Sequence, residues 1–211
     1  MTINVGSTPR TTVHRVPSKT VNDKQTVYDI LDAGLFANVA CVVDGQPYVL
    51  PVGYARDGDR VIFHGSNASR LFKVLATGQP TCFSVTLLDG LVLARSAFES
   101  SMNYRSVMAL GTCHVMRDEA EISAAFDGLV DSLFPDRAAT LRPTTAVERR
   151  ATSVMWISLD EASAKVRDVG LIEDEGDETW PAWGGVVPVR SVRGEPAPDQ
   201  YVPADMPAPE I

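Results

Sequence analysis

The chain has 211 residues and carries 19 Lys and Arg against 27 Asp and Glu, which gives a formal net charge of −8. This acidic balance argues against a nucleic-acid partner and against docking on an anionic membrane, because both need a basic surface. The length predicts one domain with extensions, and a chain of this size can bury roughly 70% of its unfolded surface, so its core needs no disulfide or metal.

Hydropathy and cysteine usage bear on the cellular compartment. No apolar run approaches the roughly 20 residues that cross a bilayer, and the first residues lack the basic stretch and apolar core of a signal peptide. We therefore expect a cytoplasmic protein that does not contact membranes. Cys41, Cys82 and Cys113 are widely spaced and each lies in an apolar segment, so we expect buried, reduced thiols and no metal site.

The first third of the chain changes from polar to β-rich. Residues 1–20 are polar without periodicity, and we predict that they form an N-terminal arm. A short helix follows, with Asn22 as its N-cap and Gly34 at its end. The β-rich runs after it are residues 36–43, 46–55 and 60–64. Two Asp-Gly turns separate these runs, which predicts an antiparallel meander.

The middle of the chain continues this β pattern. Residues 81–87 and 91–96 predict two strands around a turn at Asp89-Gly90. Residues 104–116 predict one long strand, which we expect to bend at Gly111 because glycine often marks a bend in a strand.

The clearest helix begins at Asp118, which can cap it, and stops before Pro135. Thr145 and Glu148 have capping-box spacing and predict a further helical turn. Residues 153–159 predict the last clear strand.

The composition shifts after Lys165. Residues 168–178 hold six acids and no base, and seven of the 14 prolines lie in residues 181–211. A stretch this rich in proline cannot form a helix or a central strand. We predict a Pro-rich C-terminal tail over residues 191–211, which is either disordered or laid as an extended arm on a surface.

These elements together predict the fold class. The strands connect through tight turns and not through crossover helices, which excludes a doubly wound parallel sheet. The pattern favours a mainly β fold with flanking helices, in the form of a small antiparallel barrel of six or seven strands.

The segment from Gly65 to Arg70 is the most informative for chemistry. A strand runs into a Gly-Ser-Asn turn and then into a helix that begins near Ala68. Gly65 allows close approach of a ligand to the backbone, Ser66 and Ser69 add hydroxyl groups, and Arg70 adds a planar fork for phosphate oxygens. The segment is either a phosphate-binding turn or an ordinary capped helix with Arg70 in solvent.

Two cations follow the last predicted strand at alternate positions. Lys165 and Arg167 therefore share one face. Two like charges on one face favour an anion between them, and that anion is either a neighbouring acid, a phosphate or an electron-rich ring edge.

Three other places carry chemistry-bearing side chains. His64 ends a strand beside the Gly-Ser-Asn turn and would face a ligand bound there. Residues 102–106 form a ligand-facing edge, a subunit contact or a polar turn. Trp180 and Trp183, with the glycines after them, either lie over a flat ring or plug a barrel end.

Several motifs are missing from the sequence. The chain has no Gly-x-Gly-x-x-Gly after a strand, no Walker A loop, no Gly-x-Ser-x-Gly and no His-Glu-x-x-His. Their absence disfavours Rossmann dehydrogenases, P-loop enzymes, α/β-hydrolases and zincins.

The run from Asp44 to Tyr54, DGQPYVLPVGY, resembles the DGxPYxxPxxY strand pair of flavin-nucleotide-binding proteins. These belong to the pyridoxamine 5′-phosphate oxidase-like split-barrel superfamily, in which the chain is most similar to the nitroimidazole-reductase-like branch. The further phrases that resemble this family, in family order, are residues 63–66 with 69–70, 89–96, 103–107, 163–167 and 183–188.

The resemblance implies an antiparallel split β-barrel over residues 21–190, a homodimer, and FMN at the subunit interface, with FAD or a deazaflavin as alternatives. The cofactor contacts that it implies are Ser66, Ser69 and Arg70 for the phosphate; Leu50, Pro51, Val52 and Gly53 along the isoalloxazine; His64 and Gly65 beneath it; Asn103, Tyr104, Arg105 and Ser106 from the partner subunit; and Trp183 near the flavin. Lys165 or Arg167 would stabilise the negative charge of the reduced ring.

The function implied is that of an oxidoreductase that passes electrons from a reduced nicotinamide or similar donor to a small electrophilic acceptor. A non-catalytic module that binds or stores flavin or haem is the alternative, and a cofactor-free dimeric scaffold is the third. True pyridoxamine phosphate oxidases end in an Arg- and His-rich segment, whereas this chain ends in Pro, Ala, Asp and Glu. Oxidation of vitamin B6 is therefore not expected.

Overall fold

The computed structural model describes residues 8–12, 20–21 and 23–208. The strands are β1 (Thr20–Val21), β2 (Ala37–Val43), β3 (Gln46–Val52), β4 (Tyr54–Asp57), β5 (Arg60–Ser66), β6 (Pro80–Leu93), β7 (Ser101–Thr112), β8 (His114–Val115), β9 (Thr152–Ser158), β10 (Ala162–Arg167) and β11 (Gly185–Pro188). The helices are α1 (Lys24–Ala33), α2 (Arg70–Leu75), α3 (Glu119–Asp131) and α4 (Ala146–Ala151).

The strands form two antiparallel sheets. The larger sheet has the order β1-β10-β7-β6-β2-β3, with β11 paired to the far half of β6, and the smaller has the order β4-β5-β9-β8. The chain passes from one sheet to the other at Gly53, between β3 and β4, and at Cys113, between β7 and β8. Consecutive strands that continue from one sheet into the other in this way are the arrangement of a split barrel, so the predicted mainly β, antiparallel fold is confirmed.

The core lies between the two sheets. Phe83 of the larger sheet stacks on Phe63 of the smaller one, with ring centroids 6.2 Å apart, and meets the edge of Tyr54 at 5.2 Å. Phe63 and Phe83 are fully buried. Helix α1 adds Ile30 and Leu31 to the same core. The inward faces of both sheets therefore hold the barrel together through burial of apolar area.

The helices begin where side chains satisfy their free N–H groups. Asp23 accepts hydrogen bonds from the backbone of Gln25 and Thr26 at the start of α1. Asn22, the predicted cap, lies outside the described residues. Asp118 caps α3 through the N–H of Glu121, as predicted, and α4 begins with a complete capping box between Thr145 and Glu148.

Strand β6 differs from the prediction. It is a single 14-residue strand, and the expected turn at Asp89-Gly90 is a bulge within it, between Leu88 and Gly90 in the register with β7. The Asp89 carboxylate accepts two hydrogen bonds from the Arg105 guanidinium on the neighbouring strand, at 2.7 and 2.9 Å. The irregular residue is thus stabilised inside the sheet, and the hairpin turn comes after Leu93 instead.

The predicted long strand also divides differently. Its first part begins at Ser101, and the break lies at Cys113, two residues beyond the expected bend at Gly111. Cys113 is buried where the chain leaves the larger sheet for the smaller one. The predicted strand over residues 46–55 divides at Gly53 into β3 and β4, which belong to different sheets, and the short strands β1, β8, β10 and β11 were not predicted separately. The described residues therefore contain more strands than the six or seven expected.

The ends of the chain pack differently from each other. Arg10 and Thr8 bind the Glu161 carboxylate, with Thr8 Oγ1 2.6 Å from Glu161 Oε1. Residues 190–208 are exposed throughout.

No helix in the described part of the chain is long and apolar enough to span a membrane. The boundaries predicted at residues 20 and 190 remain predictions.

Candidate functional site

A cavity of about 280 Å³ lies between β2, β3 and the start of α2. Its lining residues are Cys41, Val43, Tyr48, Leu50, Ser69, Arg70 and Leu71. Three residues of the predicted site, Leu50, Ser69 and Arg70, therefore meet at one place. The walls are mostly apolar and carry one cation and the hydroxyl groups of Ser69 and Tyr48, which is typical of small-molecule pockets.

Arg70 is exposed at this rim and has no carboxylate partner among the described residues. Its Nη1 donates to the Tyr48 hydroxyl at 3.4 Å, and its guanidinium carbon lies 5.5 Å from the centre of the Tyr48 ring. The aromatic ring thus orients the guanidinium and leaves its charge available for an anion. Tyr48 was not among the predicted site residues, although it lies within the DGxPY motif.

The two serines of the Gly-Ser-Asn turn are engaged to different degrees. Ser66 Oγ accepts from the Ala68 N–H at 3.2 Å, so it stabilises the turn. Ser69 is the N-cap of α2, yet its side chain makes no capping hydrogen bond. The Ser69 hydroxyl is therefore free to bind a ligand beside Arg70, which is not the arrangement of an ordinary capped helix.

Asn67 fixes this turn to the rest of the fold. Its Nδ2 donates to the Arg150 carbonyl at 2.6 Å, and its backbone N–H donates to the Ala151 carbonyl at 3.0 Å. The turn is thus tied to the end of α4. The partner is more than 80 residues away in sequence, and no local pattern predicts it.

Gly65 is required for packing. A Cβ at this position would lie 2.6 Å from Phe72 Cζ, well inside van der Waals contact. The glycine therefore lets α2 pack closely against β5, which brings Ser69 and Arg70 to the cavity. The expected role in ligand approach is not tested by this contact.

Strand β3 is the last strand of the larger sheet, so its outer edge has no strand partner among the described residues. Leu50 and Pro51 are exposed and Val52 is buried, and Gly53 follows at the passage into β4. A free strand edge offers unpaired backbone N–H and C=O groups. This geometry suits the role that the resemblance implies for residues 50–53.

His64 lies on β5, and its ring meets the edge of Phe126 from α3, with ring centroids 5.7 Å apart. The residue is exposed, but enough protein surrounds the ring for desolvation to lower the pKa of His64 below its ordinary value. The imidazole is therefore neutral near pH 7 and can accept a hydrogen bond or bind a metal.

A second group of predicted residues forms around Arg167, which is buried without a carboxylate partner among the described residues. Its Nη1 donates to Asn103 Oδ1 at 2.6 Å, and Asn103 Nδ2 donates to the Val169 carbonyl at 2.9 Å. Asn103 is also buried. A buried guanidinium that is held by an amide, and not by an acid, has no negative charge in contact with it to compensate its own.

Lys165 extends this group along β10. The register pairs Lys165 with Ser106 and Arg167 with Tyr104 on β7, and directly opposed residues share one face of a sheet. No acid forms an ion pair with Lys165 in the described part of the chain. The predicted anion between Lys165 and Arg167 is therefore not a neighbouring acid of the described chain, which leaves a phosphate or an electron-rich ring edge.

Arg105 differs from its neighbours on β7. Successive strand residues point to opposite faces, so Arg105 lies on the face away from Tyr104 and Ser106. Its guanidinium forms a two-point ion pair with Asp89. Much of its charge is therefore satisfied within the chain, in contrast to that of Arg70.

Both tryptophans near the C-terminus are exposed, each by 66%. Neither plugs a barrel end. The Trp183 ring lies over Gly185, where a Cβ would come within 2.9 Å of it. The segment is held nearby by an ion pair between Arg95 and Glu173, at 2.8 Å. Trp183 thus presents an exposed aromatic face. Its loop is anchored by Glu173 through the ion pair with Arg95.

The predicted burial of the cysteines is found for two of the three. Cys41, Cys82 and Cys113 are free, and two of them are buried while Cys82 is half-buried. Burial raises the pKa of Cys113 to about 11, so its thiol is a poor nucleophile. No group of three or more metal-ligating side chains occurs among the described residues.

The sequence from residue 23 to 166 matches the family model described as pyridoxamine 5′-phosphate oxidase. The chain belongs to the pyridoxamine 5′-phosphate oxidase family. This agrees with the resemblance found in the sequence motifs. A search of curated proteins finds no match.

Solved structures of this family resemble the chain over most of its length. The flavocytochrome Anf3 from Azotobacter vinelandii is 43% identical with a TM-score of 0.90, and the match covers 98% of this chain and 96% of that one. The FAD and heme binding protein from Mycobacterium smegmatis is 38% identical with a TM-score of 0.86, covering 90% and 94%. A homologue of 5-nitroimidazole antibiotic resistance proteins from Bacteroides thetaiotaomicron shares the fold at 22% identity, with a TM-score of 0.60 over 70% and 86% of the chains.

Proposed function

We propose that this member of the pyridoxamine 5′-phosphate oxidase family binds a flavin at the cavity beside Arg70 and acts in electron transfer. The observation that carries the proposal is the free Arg70 guanidinium and Ser69 hydroxyl at the rim of an otherwise apolar cavity. Together with Ser66 they would hold a flavin phosphate. The two most similar solved relatives named above, a flavocytochrome and an FAD and heme binding protein, support it.

The flavin would lie along the free edge of β3. The backbone from Leu50 to Gly53 would run beside the isoalloxazine, and Gly65 and His64 would lie beneath it. Trp183, whose ring is open to solvent, would cover part of the ring system from outside. When bound, the flavin would supply the electron-accepting and electron-donating chemistry.

The choice between flavins follows from the relatives. The family resemblance favours FMN, whereas the Mycobacterium relative, at 38% identity, is an FAD-binding protein. We therefore take FAD as the first candidate, FMN as the second and a deazaflavin as the third.

One chain supplies only part of the site. The cavity of about 280 Å³ is at the low end for a drug-sized ligand and smaller than a flavin nucleotide needs. Neither Arg167, Asn103 nor Lys165 lines this cavity. In our proposal a homodimer completes the site, because the Asn103–Ser106 segment, Lys165 and Arg167 of a second copy would close it.

The two cations have a defined role in this proposal. Lys165 and the buried Arg167 would stabilise negative charge on a reduced ring, since neither is neutralised by an acid in the described chain. This favours an oxidoreductase that passes electrons from a nicotinamide or similar donor to a small acceptor. A module that stores a flavin without turnover is the alternative, and a bound flavin that NAD(P)H cannot reduce would favour it.

A second candidate function, binding of heme in addition to flavin, is favoured by the neutral imidazole of His64. The ring is exposed, and its lowered pKa keeps it unprotonated near pH 7, as a histidine that would bind heme iron must be. The Mycobacterium relative is described as an FAD and heme binding protein, and the Azotobacter relative as a flavocytochrome. In this candidate function His64 would hold the iron and would not contact the flavin, so a His64→Ala variant should lose heme while it keeps flavin.

The experiment is the absorption spectrum of the purified protein together with identification of what it releases on denaturation. We expect a flavin spectrum and one flavin per chain, identified by chromatography as FAD. A Soret band would add heme. Protein that is colourless, and that gains no flavin spectrum when FAD or FMN is added, contradicts the proposal.

A further inference from the structure

Arg167 is a buried residue whose guanidinium still reaches the surface. The residue is only 7% exposed. Its Nη1 donates to Asn103 Oδ1 at 2.6 Å and to the Met102 carbonyl at 3.4 Å, whereas Nε and Nη2 have no hydrogen-bond partner among the described residues. The fully buried polar atoms that lack a partner in the described chain are Gln79 Nε2 and Arg95 Nε. Nε and Nη2 of Arg167 therefore keep contact with solvent, where these N–H groups can bind an anion.

Asn103 fixes this guanidinium from the neighbouring strand. Strand β10 ends at Arg167, opposite Tyr104, and the Asn103 side chain then pairs with the backbone of Val169. Its Nδ2 donates to the Val169 carbonyl at 2.9 Å, and its Oδ1 accepts from the Val169 N–H at 3.4 Å. Asn103 is itself buried. One buried amide therefore joins Arg167 to the start of the loop that follows it.

The loop after Arg167 is acidic, with six acids in residues 168–178, yet none of them forms an ion pair with Arg167 among the described residues. Asp168, the next residue along the chain, is exposed and acts on Arg105 instead. The hydrogen bonds that Arg105 donates to Asp89 chiefly raise its pKa, and the negative charge of Asp168 adds to this. The buried guanidinium thus has no acid in contact, although acids are abundant nearby.

An amide and a carboxylate act differently on a cation. An amide oxygen orients a guanidinium without supplying a negative charge, whereas a carboxylate at the same distance would compensate the charge. A flavin ring that takes up two electrons and one proton becomes negatively charged, and a cation in contact stabilises this form over the neutral oxidised form.

We propose that Asn103 is a positioning residue, which holds the Arg167 of one copy against the flavin ring bound by the second copy and thereby raises the reduction potential of that flavin. Asn103 acts through Arg167 and does not itself contact the reacting atoms of the ring. This inference rests on the proposed function and on its homodimer.

The test is a double-mutant cycle on the flavin-loaded, full-length protein, with the reduction potential of the flavin as the readout. Its members are the unaltered protein, Asn103→Leu, Arg167→Met and the double variant. Spectroelectrochemical titration gives the reduction potential of each, and the absorbance of the oxidised protein gives its flavin content.

The expected order of potentials follows from the contacts. Arg167→Met should weaken the binding of reduced flavin relative to oxidised flavin by about 10-fold, which lowers a two-electron potential by about 30 mV. Asn103→Leu should lower the potential in the same direction, because the charge is then no longer held in place. The double variant should have the potential of Arg167→Met alone. A further fall in the double variant overturns the proposal, and so does an unchanged potential in Asn103→Leu.

The matched control is Asp168→Asn, which removes a charge next to Arg167 in sequence. Asp168 is exposed and forms no ion pair in the described chain, so the ratio of the two affinities should change by less than about 2-fold, since solvent and salt screen exposed charges. A shift as large as that of Arg167→Met would contradict the specific role of the Asn103–Arg167 pair. If Asn103→Leu does not fold, the double variant, in which apolar side chains replace both partners, is compared with Arg167→Met alone.

Flavin content separates this inference from the proposed function. Protein that holds no flavin contradicts the proposed function, and the inference falls with it. Flavin-loaded protein whose potential falls in Arg167→Met but not in Asn103→Leu agrees with the proposed function and contradicts the inference alone.

Discussion

Arg167 Nη1 lies 2.6 Å from Asn103 Oδ1, and this amide holds a buried guanidinium that has no carboxylate partner among the described residues. An ion pair would have neutralised the charge, whereas an amide orients it and leaves it positive. The pair lies where β7 and β10 meet, in register with Tyr104. It therefore positions a fixed positive charge on the sheet that the proposed flavin ring would face.

The first prediction concerns this pair. Asn103→Ala would remove the shorter hydrogen bond of Arg167 Nη1, which would keep only the Met102 carbonyl at 3.4 Å, and would leave the Val169 carbonyl without the Asn103 amide donor, so the free energy of unfolding should fall by about 1–3 kcal/mol. Urea unfolding measures it. Ser106→Ala on the same strand removes a half-buried hydroxyl that has no hydrogen bond in the described chain, and should change stability by less than about 0.5 kcal/mol. Equal effects of the two substitutions would contradict the role assigned to Asn103.

The second prediction concerns Arg70. Arg70→Ala should weaken flavin binding by about 10- to 100-fold, because a charged hydrogen bond to phosphate contributes about 1.5–3 kcal/mol. Flavin fluorescence titration measures the dissociation constant. Lys73→Ala removes the same charge one turn further along α2 but does not line the cavity, so it should leave the constant unchanged. If both variants weaken binding alike, Arg70 acts only through the overall charge.

The third prediction concerns Gly65 and Phe72. Gly65→Ala should lower the free energy of unfolding by about 1–3 kcal/mol, because its Cβ would overlap the Phe72 ring. Gly53→Ala is the control, since nothing lies within 4 Å of a Cβ there. In Gly65→Ala with Phe72→Leu, the combined cost should be smaller than the sum of the two single costs. Simple additivity in urea unfolding would show that the two positions do not clash.

The fourth prediction concerns pH. Desolvation lowers the pKa of His64 in the folded protein, so an NMR titration of its ring should give a midpoint below the ordinary value of 6.5. Because the folded pKa lies below the unfolded one, the contribution of His64 to stability is present above pH 6.5 and is lost as the pH falls through the folded pKa.

The control for this titration is Phe126→Ala, which removes the ring that packs against His64 and should move the midpoint back towards 6.5. A midpoint at or above 6.5 in the unaltered protein would contradict the assignment of a neutral imidazole near pH 7.

Local patterns predicted those parts of the fold and site whose causes are local. The Asp44-Gly45 turn, with φ of 50° and 78°, and the Asp118 cap follow from neighbouring residues alone. The same holds for the strand-turn-helix that brings Ser69 and Arg70 together. These features could be predicted because the side chain and its backbone partner are only a few residues apart.

The remainder depends on contacts between distant residues. Asp89 became a bulge because Arg105, on the next strand, binds it in the sheet. Gly65 serves α2 packing, and the Asn67 bond to the Arg150 carbonyl fixes the turn from another element. Contacts between distant residues leave no signal in the local sequence. The local pattern therefore predicted a turn at Asp89 and a cofactor contact at Arg105, whereas in the fold these two residues bind each other.

The central claim is that the cavity beside Arg70 binds a flavin, and titration of flavin-free protein with FAD and with FMN tests it most directly. We expect a saturable change in flavin fluorescence at one flavin per chain. Binding should be tighter for FAD than for FMN, and it should be weaker in Arg70→Ala but unchanged in Lys73→Ala. The absence of a saturable change with either flavin, in protein that is folded and dimeric, would contradict flavin binding at this cavity.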